Sequence, residues 1–286
     1  EKIMRKKSAK ITAAVLAAAA VLSACGGSGS SETTAAAGGS DTSAAESTAA
    51  AAADANATYK EELHIAVAQQ APSLDLHKNS SLIARQMMDG TVWEKLVTLN
   101  SKAEAVPELC ESYDVSEDAK TITFTLRKGV KFHDGSEMTA DDVVASMNRW
   151  IEGFSSAKST VGDARFEKVD DYTVKIAADH SILLLPSMIA GAAQPASITT
   201  AAACEKEDSN GFMTDYIGTG PYKFSEWVQD QYVKLEKFDD YVPYGTEGEP
   251  MDGWSGYKAA PTKILEFDIV PEETTRVAGL ETGQYD

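Results

Sequence analysis

A packed core has to come from residues 59–286, because residues 26–58 cannot supply one. This earlier stretch consists of Gly, Ser, Ala and Thr with scattered Asp and Glu, and it has almost no large apolar side chain. Such a composition buries too little apolar surface to repay the entropy lost when a chain becomes ordered. We therefore expect residues 26–58 to form a flexible tether.

Residues 1–25 have the parts of a bacterial export signal. Four basic residues between positions 5 and 10 precede an apolar run over 11–22. The run is too short to span a hydrocarbon core of about 30 Å as a helix. It ends in LSAC at 22–25, which resembles the lipobox of bacterial lipoproteins. In a lipobox the cysteine is lipidated and becomes the first mature residue, so Cys25 is the predicted lipidation site. A cleavage site with a chance cysteine is the alternative.

Charge and cysteine spacing exclude some classes of protein. The chain has a formal net charge of −18, and the basic residues of the signal leave the remainder more acidic still. Such a surface repels phosphate backbones, which argues against nucleic acid as a partner. Cys110 and Cys204 fit no zinc or Cys-x-x-Cys spacing. They either form a disulfide in an oxidising compartment or remain buried free thiols, and the spacing does not require the bridge.

Period-two alternation predicts several strands in residues 59–286. The clearest are a strand at 63–67, followed by a loop containing Pro72, and a hairpin over 112–126. Further strands are expected at 173–177, 222–224, 233–238 and 265–270.

Helical spacing predicts three helices among these strands. One is expected over 82–97, although Gly90 weakens it, and a second begins at the N-cap Thr139, with Asp142 at its third position. A third is expected near Glu272, with Pro271 in its first turn. Strands and helices are mixed without strict βαβ alternation, which predicts an α/β fold with a mixed sheet.

Three motifs occur in a fixed order along this part of the chain. They are TITFTLRKGVKFHDG at 121–135, which runs on through TADDV at 139–143, then IGTGPYKF at 217–224, and AGLETGQYD at 278–286. The first is the most specific and reads as scaffold. In the second, two glycines and a proline before a strand allow the backbone to approach another group closely, either a neighbouring strand or a ligand.

These motifs resemble family 5 of the extracellular solute-binding proteins of ABC importers, over essentially all of residues 59–286. The resemblance implies a two-lobed periplasmic-binding-protein-like fold with the ligand between the lobes and an extra subdomain on lobe I. Lobe I is then expected at 59–82 and 164–270, the subdomain at 83–163, and the start of lobe II at 271–286. Because family members continue through a second lobe, the chain is expected to be truncated there.

The resemblance also implies a site and partners. The loop after the first strand pairs with bound peptide in the family, which corresponds to Gln70 and Ala71 here, and Thr219 corresponds to a residue that faces the cleft in some members. Short peptides are the expected ligand and the permease of an ABC transporter the expected partner. The protein is expected to be a monomer without a cofactor, held at the outer face of the cell membrane by the lipid on Cys25. Gln70 as a solvated loop residue and Thr219 as a turn residue remain the alternatives.

Other functions have less support in the sequence. The four histidines form no His-Glu-x-x-His or i, i+4 pair, and no Gly-x-Ser-x-Gly occurs, so neither catalytic residues nor metal ligands are predicted. Asp141 and Asp142 are better explained as helix-capping residues than as a catalytic pair. A receptor for nickel, glutathione or oligosaccharide remains an alternative within the family. A lipid-anchored surface enzyme or adhesin is the alternative of a different class.

Overall fold

A computed structural model of the chain describes residues 58–286. The predicted signal peptide, nearly all of the tether and Cys25 lie outside this range. None of the helices in the described range has the length and apolarity that a membrane crossing requires. The strands are β1 (Glu62–Val67), β2 (Val97–Leu99), β3 (Ala105–Pro107), β4 (Cys110–Val115), β5 (Thr121–Leu126), β6 (Phe166–Asp170), β7 (Thr173–Ala177), β8 (Tyr222–Val228), β9 (Tyr232–Lys237) and β10 (Ile264–Ile269). The helices are α1 (Leu82–Met88), α2 (Ala140–Gly153), α3 (Ser155–Val161), α4 (Leu185–Ala190), α5 (Ala201–Cys204) and α6 (Glu273–Thr282).

The first sheet has the strand order β1-β10-β9-β8. β1 is parallel to β10, whereas the β10–β9 and β9–β8 pairs are antiparallel, so the sheet is mixed, as expected. Its apolar face packs against α1 and the segment that follows α1. That core includes Leu265 and Phe267 from β10, Val233 and Leu235 from β9, and Met87, Met88 and Trp93 from the α1 side.

The second sheet has the order β4-β5-β7-β6, and every pair in it is antiparallel. It contains the predicted hairpin, whose turn is closed by the Ser116 hydroxyl oxygen as it accepts from the N–H groups of Lys120 and Thr121. The apolar positions of β5 are buried and the threonines between them are partly exposed, because successive side chains point to opposite faces of a strand.

Helix α2 covers the second sheet and begins as its sequence predicts. The Asp142 carboxylate accepts from both the N–H and the hydroxyl of Thr139, which forms a capping box. The same carboxylate also accepts from the N–H of Ala201 (2.9 Å), which fixes the start of α5 against α2. The apolar side of α2 joins the core of the second sheet through Val143, Met147, Trp150 and Ile151.

Two helix predictions differ from the structure. The helix expected over 82–97 ends at Met88, since Gly90 takes a φ of +79° that no α-helix accommodates, and the chain reaches β2 at Val97. At the other end of the chain, Pro271 precedes the N-cap Glu272 and lies outside the first turn of α6.

Residues 166–177 belong to the second sheet. They form β6 and β7, which pair with each other, and β7 also pairs with β5, whereas the sequence expectation places residues 164–270 in lobe I. Short antiparallel connections favour such pairing of strands that are close in sequence. The division into lobe and subdomain remains a prediction, but the sheet pairing favours a subdomain that extends past residue 177.

Candidate functional site

The loop after β1 carries Gln70 and Ala71, two of the predicted ligand-binding residues. Gln70 is half-buried, and its side-chain oxygen accepts from the backbone N–H of Asp230 (2.6 Å) in the β8–β9 turn. Ala71 is only 2% exposed and its methyl group packs into the core of the first sheet. The loop is therefore fixed at both residues, and the backbone of Ala71 is the part of that residue left to meet a ligand.

Thr219, the third predicted residue, lies inside the protein. It is 1% exposed, and its hydroxyl donates to Oε2 of Glu94 at 3.0 Å. The hydroxyl could donate to a ligand only if its hydrogen bond to Glu94 were first broken. The structure thus gives Thr219 a protein partner, and it shows no contact that joins Thr219 to Gln70 or Ala71 within the described residues.

The glycines on either side of Thr219 allow two backbones to touch. A Cβ on Gly218 would lie 1.9 Å from the carbonyl oxygen of Val92, and one on Gly220 would lie 2.2 Å from that of Thr91. Gly220 N–H also donates to the Val92 carbonyl at 3.0 Å. In the structure, the group that this motif approaches is therefore the chain's own backbone after α1.

His133 joins the first motif to the second. The N–H of Gly218 donates to Nδ1 of His133 at 3.2 Å, so Nδ1 is unprotonated and Nε2–H donates to the carbonyl of Gly220 at 2.9 Å. A backbone bond from His133 N–H to the Gly218 carbonyl (3.0 Å) completes the joint. Burial lowers the pKa of His133 to about 4, which keeps the ring neutral. The histidine is structural, as expected for a scaffold motif.

A groove of about 350 Å³ opens beside this joint. It lies between the segment that leads into β8, the start of β8, and His133 with Asp134. Gln70, Ala71 and Thr219 are not among its lining residues, so the groove is separate from the predicted ligand loop. It is lined by His133, Asp134, Thr214, Asp215, Tyr216, Ile217, Lys223 and Phe224.

A buried charge cluster lies behind Thr219. Lys258 contacts Glu94 (Nζ to Oε1, 3.0 Å) and Glu108, and the Tyr241 hydroxyl donates to Glu94 at 2.8 Å. Burial raises the pKa of Glu94, and Lys258 opposes that shift. For Lys258, burial alone would lower the pKa, but Glu108 and Glu94 outweigh it and raise the pKa. The cluster anchors the long β9–β10 connection to the segment around β2.

A second buried ion pair connects the loop after β1 to α2. Nη1 and Nη2 of Arg149 bind the two carboxylate oxygens of Asp75 at 3.0 and 2.7 Å, and the Asp75 side chain is 0% exposed. Asp75 also accepts from the N–H groups of His77 and Met213, both at 2.9 Å. Neither buried cluster was identified from the sequence, because their members are too distant along the chain for any periodicity to relate them.

The four histidines differ in burial and in the groups that they contact. His77 is buried and His133 half-buried, and desolvation lowers the pKa of each to about 4. His180 is exposed, and its pKa is raised by its hydrogen bond to Asp179. His64 lies on β1 beside two carboxylates of β10, and these three side chains are the group in the described residues that offers ligand atoms close enough for one metal ion.

Both cysteines in the described range are free thiols. Burial raises the pKa of Cys110 to about 12 and that of Cys204 to about 11, so both resist conversion to the reactive thiolate. Of the two possibilities left open by the sequence, the structure shows free thiols, with Cys110 buried and Cys204 half-buried.

Residues 104–286 match the model of bacterial extracellular solute-binding proteins, family 5, middle region. This match covers more than half of the chain, and the chain belongs to that family. The resemblance inferred from the three motifs is thereby confirmed, and the family is one of solute-binding proteins of ABC transporters rather than of enzymes.

The curated relatives of this chain include proteins named for the binding of peptides and of glutathione. A probable peptide ABC transporter periplasmic-binding protein of Sinorhizobium fredii is 30% identical over 200 residues, which are 68% of this chain and 36% of that protein. A glutathione-binding protein of Escherichia coli K12 is 28% identical over 228 residues, 78% of this chain and 41% of the relative. The chain therefore spans about two fifths of the length of these relatives.

Solved structures confirm the fold class. The binding protein AgaA of A. tumefaciens R10, in complex with agropinic acid, is 28% identical with a TM-score of 0.65, over 79% of this chain and 43% of that one. NikA from Brucella suis, at 23% identity and a TM-score of 0.63 over 79% and 42% of the two chains, supports the fold alone. The α/β, periplasmic-binding-protein-like fold with a mixed sheet was predicted correctly, and the described residues form part of it.

Proposed function

We propose that this chain is part of an extracytoplasmic substrate-binding lipoprotein that captures short peptides and delivers them to the permease of an ABC importer. The observation that carries the proposal is the family match over residues 104–286, together with the 30% identical relative named for a peptide transporter. Its homologues are extracytoplasmic binding proteins, which fits the export signal predicted in residues 1–25.

The loop after β1 supports peptide as the ligand class. Extended peptides are bound through main-chain hydrogen bonds, which do not depend on the peptide's sequence, while roomy pockets accept the side chains. The Ala71 side chain is buried and the Gln70 side chain is tied to Asp230, so this loop presents a fixed backbone. A fixed backbone reduces the entropy lost on binding.

The proposed organisation follows from the family. Lobe I is assigned to residues 59–82 and 164–270, its subdomain to 83–163, and the start of lobe II to 271–286. The pairing of β6 and β7 with β5 favours a subdomain that extends past residue 177. Because the relatives are more than twice as long as the matched part, we expect the opposite wall of the cleft to correspond to their remaining sequence. Closure of two lobes would then bury the ligand.

Cys25 is the proposed membrane attachment. Lipidation there would hold the binding protein at the outer face of the cell membrane, with residues 26–58 as the leash. A single acyl chain gives only marginal binding, whereas a diacylglyceryl group supplies the two chains that stable anchoring takes.

Glutathione is the second candidate ligand, because several relatives that match 77–78% of this chain at 28–29% identity are named glutathione-binding proteins. Glutathione is itself a modified tripeptide, so both candidates belong to one chemical class. Nickel and oligosaccharides remain alternatives within the family. A surface enzyme would differ from all of these because it changes its ligand chemically. An adhesin would differ because it attaches to a surface and retains no small solute.

The test is ligand retention by the full-length protein. It is incubated with a mixture of di- to pentapeptides, glutathione, nickel and oligosaccharides, washed, and denatured to release what was held for mass spectrometry. Intact peptides are expected, with little sequence preference. Recovery of cleaved peptides, or of nickel or sugars alone, would reject the proposal.

Two glutamine variants test the site. Gln70→Ala frees the loop from Asp230 and is expected to weaken peptide binding several-fold, since one hydrogen bond contributes about 0.5–1.5 kcal/mol. Gln69→Ala, at the adjacent exposed position, is the matched control and should bind as the unaltered protein does. Equal affinity of both variants would remove this loop from the site without affecting the peptide assignment.

A further inference from the structure

The first sheet has a polar face opposite its apolar core. Side chains alternate between the two faces, and Leu63 and Ile65 pack on the core side, which places His64 on the other. The strand register sets His64 opposite Glu266, and Glu266 opposite Lys234. Asp268 lies two residues beyond Glu266 and therefore on the same face.

Three of these side chains converge. Nδ1 of His64 is 3.0 Å from Oδ2 of Asp268 and 3.9 Å from Oε1 of Glu266, and the three ligand atoms all lie within 4.8 Å of one another. The carboxylates are largely shielded, with side-chain exposures of 12% for Glu266 and 21% for Asp268, whereas His64 is 36% exposed. The group is partly buried and still open to ions in solution.

Negative charge is in excess around the imidazole. Oε2 of Glu62 is 4.0 Å from Nε2 of His64, so three carboxylates surround one ring. Lys234 is the cation that contacts these carboxylates, with Nζ 2.6 Å from Oε2 of Glu266 and 3.8 Å from Oε1 of Glu62. Burial raises the pKa of Asp268 and the neighbouring Glu266 adds to that shift, while His64 and Lys234 oppose it.

We propose that His64, Glu266 and Asp268 form a binding site for a divalent transition-metal cation. Nδ1 of His64 and one oxygen from each carboxylate would be the protein ligands, and water would complete the coordination.

The surrounding groups fit the needs of such a site. Lys234 holds Oε2 of Glu266 and leaves Oε1 facing His64. Glu62 faces Nε2, the nitrogen that would carry the proton in the metal complex, and a carboxylate in that place orients a ligating histidine. Metal binding would replace the hydrogen bond between Nδ1 of His64 and Oδ2 of Asp268 (3.0 Å) with two bonds to the cation.

The donor set selects among cations. An imidazole nitrogen with carboxylate oxygens suits Zn²⁺ or Ni²⁺, while Mg²⁺ prefers oxygen ligands and keeps its water. The site lies on the polar face of the first sheet and is independent of what the cleft binds. It escapes sequence reasoning because His64 and Asp268 are 204 positions apart and share no short motif.

The experiment is titration of the full chain with Zn²⁺ by calorimetry, in a Cys25→Ser background that removes the thiol outside the described range. Three further variants are compared in that background: His64→Gln, Asp268→Asn and His180→Gln. The last is the matched control, since His180 is an exposed histidine that is likewise paired with an aspartate (2.6 Å) but has no second carboxylate within salt-bridge distance among the described residues. Far-ultraviolet circular dichroism checks that each variant is folded.

One micromolar-range site is expected in the parent and in His180→Gln, with at least tenfold weaker binding in His64→Gln and Asp268→Asn, and no binding of Mg²⁺. X-ray absorption at the zinc edge should show one imidazole among oxygen ligands. Glu62→Gln should keep the site but weaken it by about tenfold. No binding by the parent, or equal binding by the parent and His64→Gln, would overturn the proposal.

Discussion

Replacement of Asp75 by Asn tests the buried joint between the loop after β1 and helix α2. The Asp75 carboxylate accepts four hydrogen bonds, two from the Arg149 guanidinium and one each from the N–H groups of His77 and Met213. An asparagine has nearly the same shape, but its amide nitrogen can accept none of them. Arg149, whose side chain is 8% exposed, would lose its most buried counter-charge and keep only Glu207.

The expected loss of folding stability in Asp75→Asn follows from that geometry. Removing one partner of a buried ion pair costs about 3–5 kcal/mol, because the other charge stays buried without compensation. A domain of this size loses roughly 2–4 °C in Tm for each kcal/mol, so Asp75→Asn is expected to lower Tm by roughly 6–20 °C. Thermal and urea denaturation of the purified chain, followed by circular dichroism, measure the change.

Two further variants make the result interpretable. Asp179→Asn alters an aspartate that is 98% exposed beside His180, and it should leave Tm within error of the unaltered protein. Arg149→Met in the Asp75→Asn background removes the stranded charge and should recover part of the loss. If Asp75→Asn and Asp179→Asn have equal effects, the buried pair does not stabilise the fold and the reasoning is wrong.

The same pair gives a direction to the pH dependence. Burial opposes ionisation of Asp75, but Arg149 and the N–H donors outweigh it, and its pKa lies below the usual value. A carboxyl group with a lowered pKa in the folded state contributes stability above its unfolded pKa and loses it as the pH falls through the folded pKa. The difference in stability between the unaltered chain and Asp75→Asn should therefore shrink in acid below the usual pKa of an aspartate.

Three further predictions concern lipidation at Cys25, the close approach at Gly218 and peptide binding by residues 59–286. Cells fed a fatty-acid analogue should label the unaltered protein and not Cys25→Ala, and equal labelling would exclude lipidation there. Gly218→Ala should unfold at markedly lower temperature than Gly191→Ala, since its Cβ would lie 1.9 Å from the Val92 carbonyl while the control meets nothing closer than 3.3 Å; matching melting curves would contradict this close approach. Under the proposed two-lobed organisation, residues 59–286 should bind peptide on the order of a few hundred-fold more weakly than a chain with both lobes, because about three net hydrogen bonds from the other wall would be absent. Calorimetry with one peptide compares the two, and equal dissociation constants would show that lobe I makes the site alone.

Patterns in the local sequence predicted most of the strands and helices, but they did not predict the buried charge clusters. Alternation located β1 and the β4–β5 hairpin, and the Thr139–Asp142 spacing gave the start of α2, because each of these depends on neighbours within a few residues. The helix expected over 82–97 ended early because the backbone around Gly90 turns back on itself.

The buried contacts depend on which distant segments the topology brings together. Glu94 and Lys258 are 164 positions apart, and nothing in either local sequence predicts that one will neutralise the other. The same holds for Thr219, which the family resemblance placed at the cleft and whose hydroxyl is bound to Glu94. The motifs were therefore sufficient to identify the scaffold, whereas the charged contacts around Thr219 could be identified only from the three-dimensional structure.

The parallel pairing of β1 with β10 has a consequence for the order in which the chain acquires structure. β1 spans Glu62–Val67 and its partner spans Ile264–Ile269, so the first sheet closes a loop of about two hundred residues, whereas the second sheet is complete within Cys110–Ala177. Long-range parallel pairing forms slowly because loop entropy is lost before any contact is gained. The second sheet should therefore form early and the first late, which leaves β1 unpaired until the distant strand β10 reaches it.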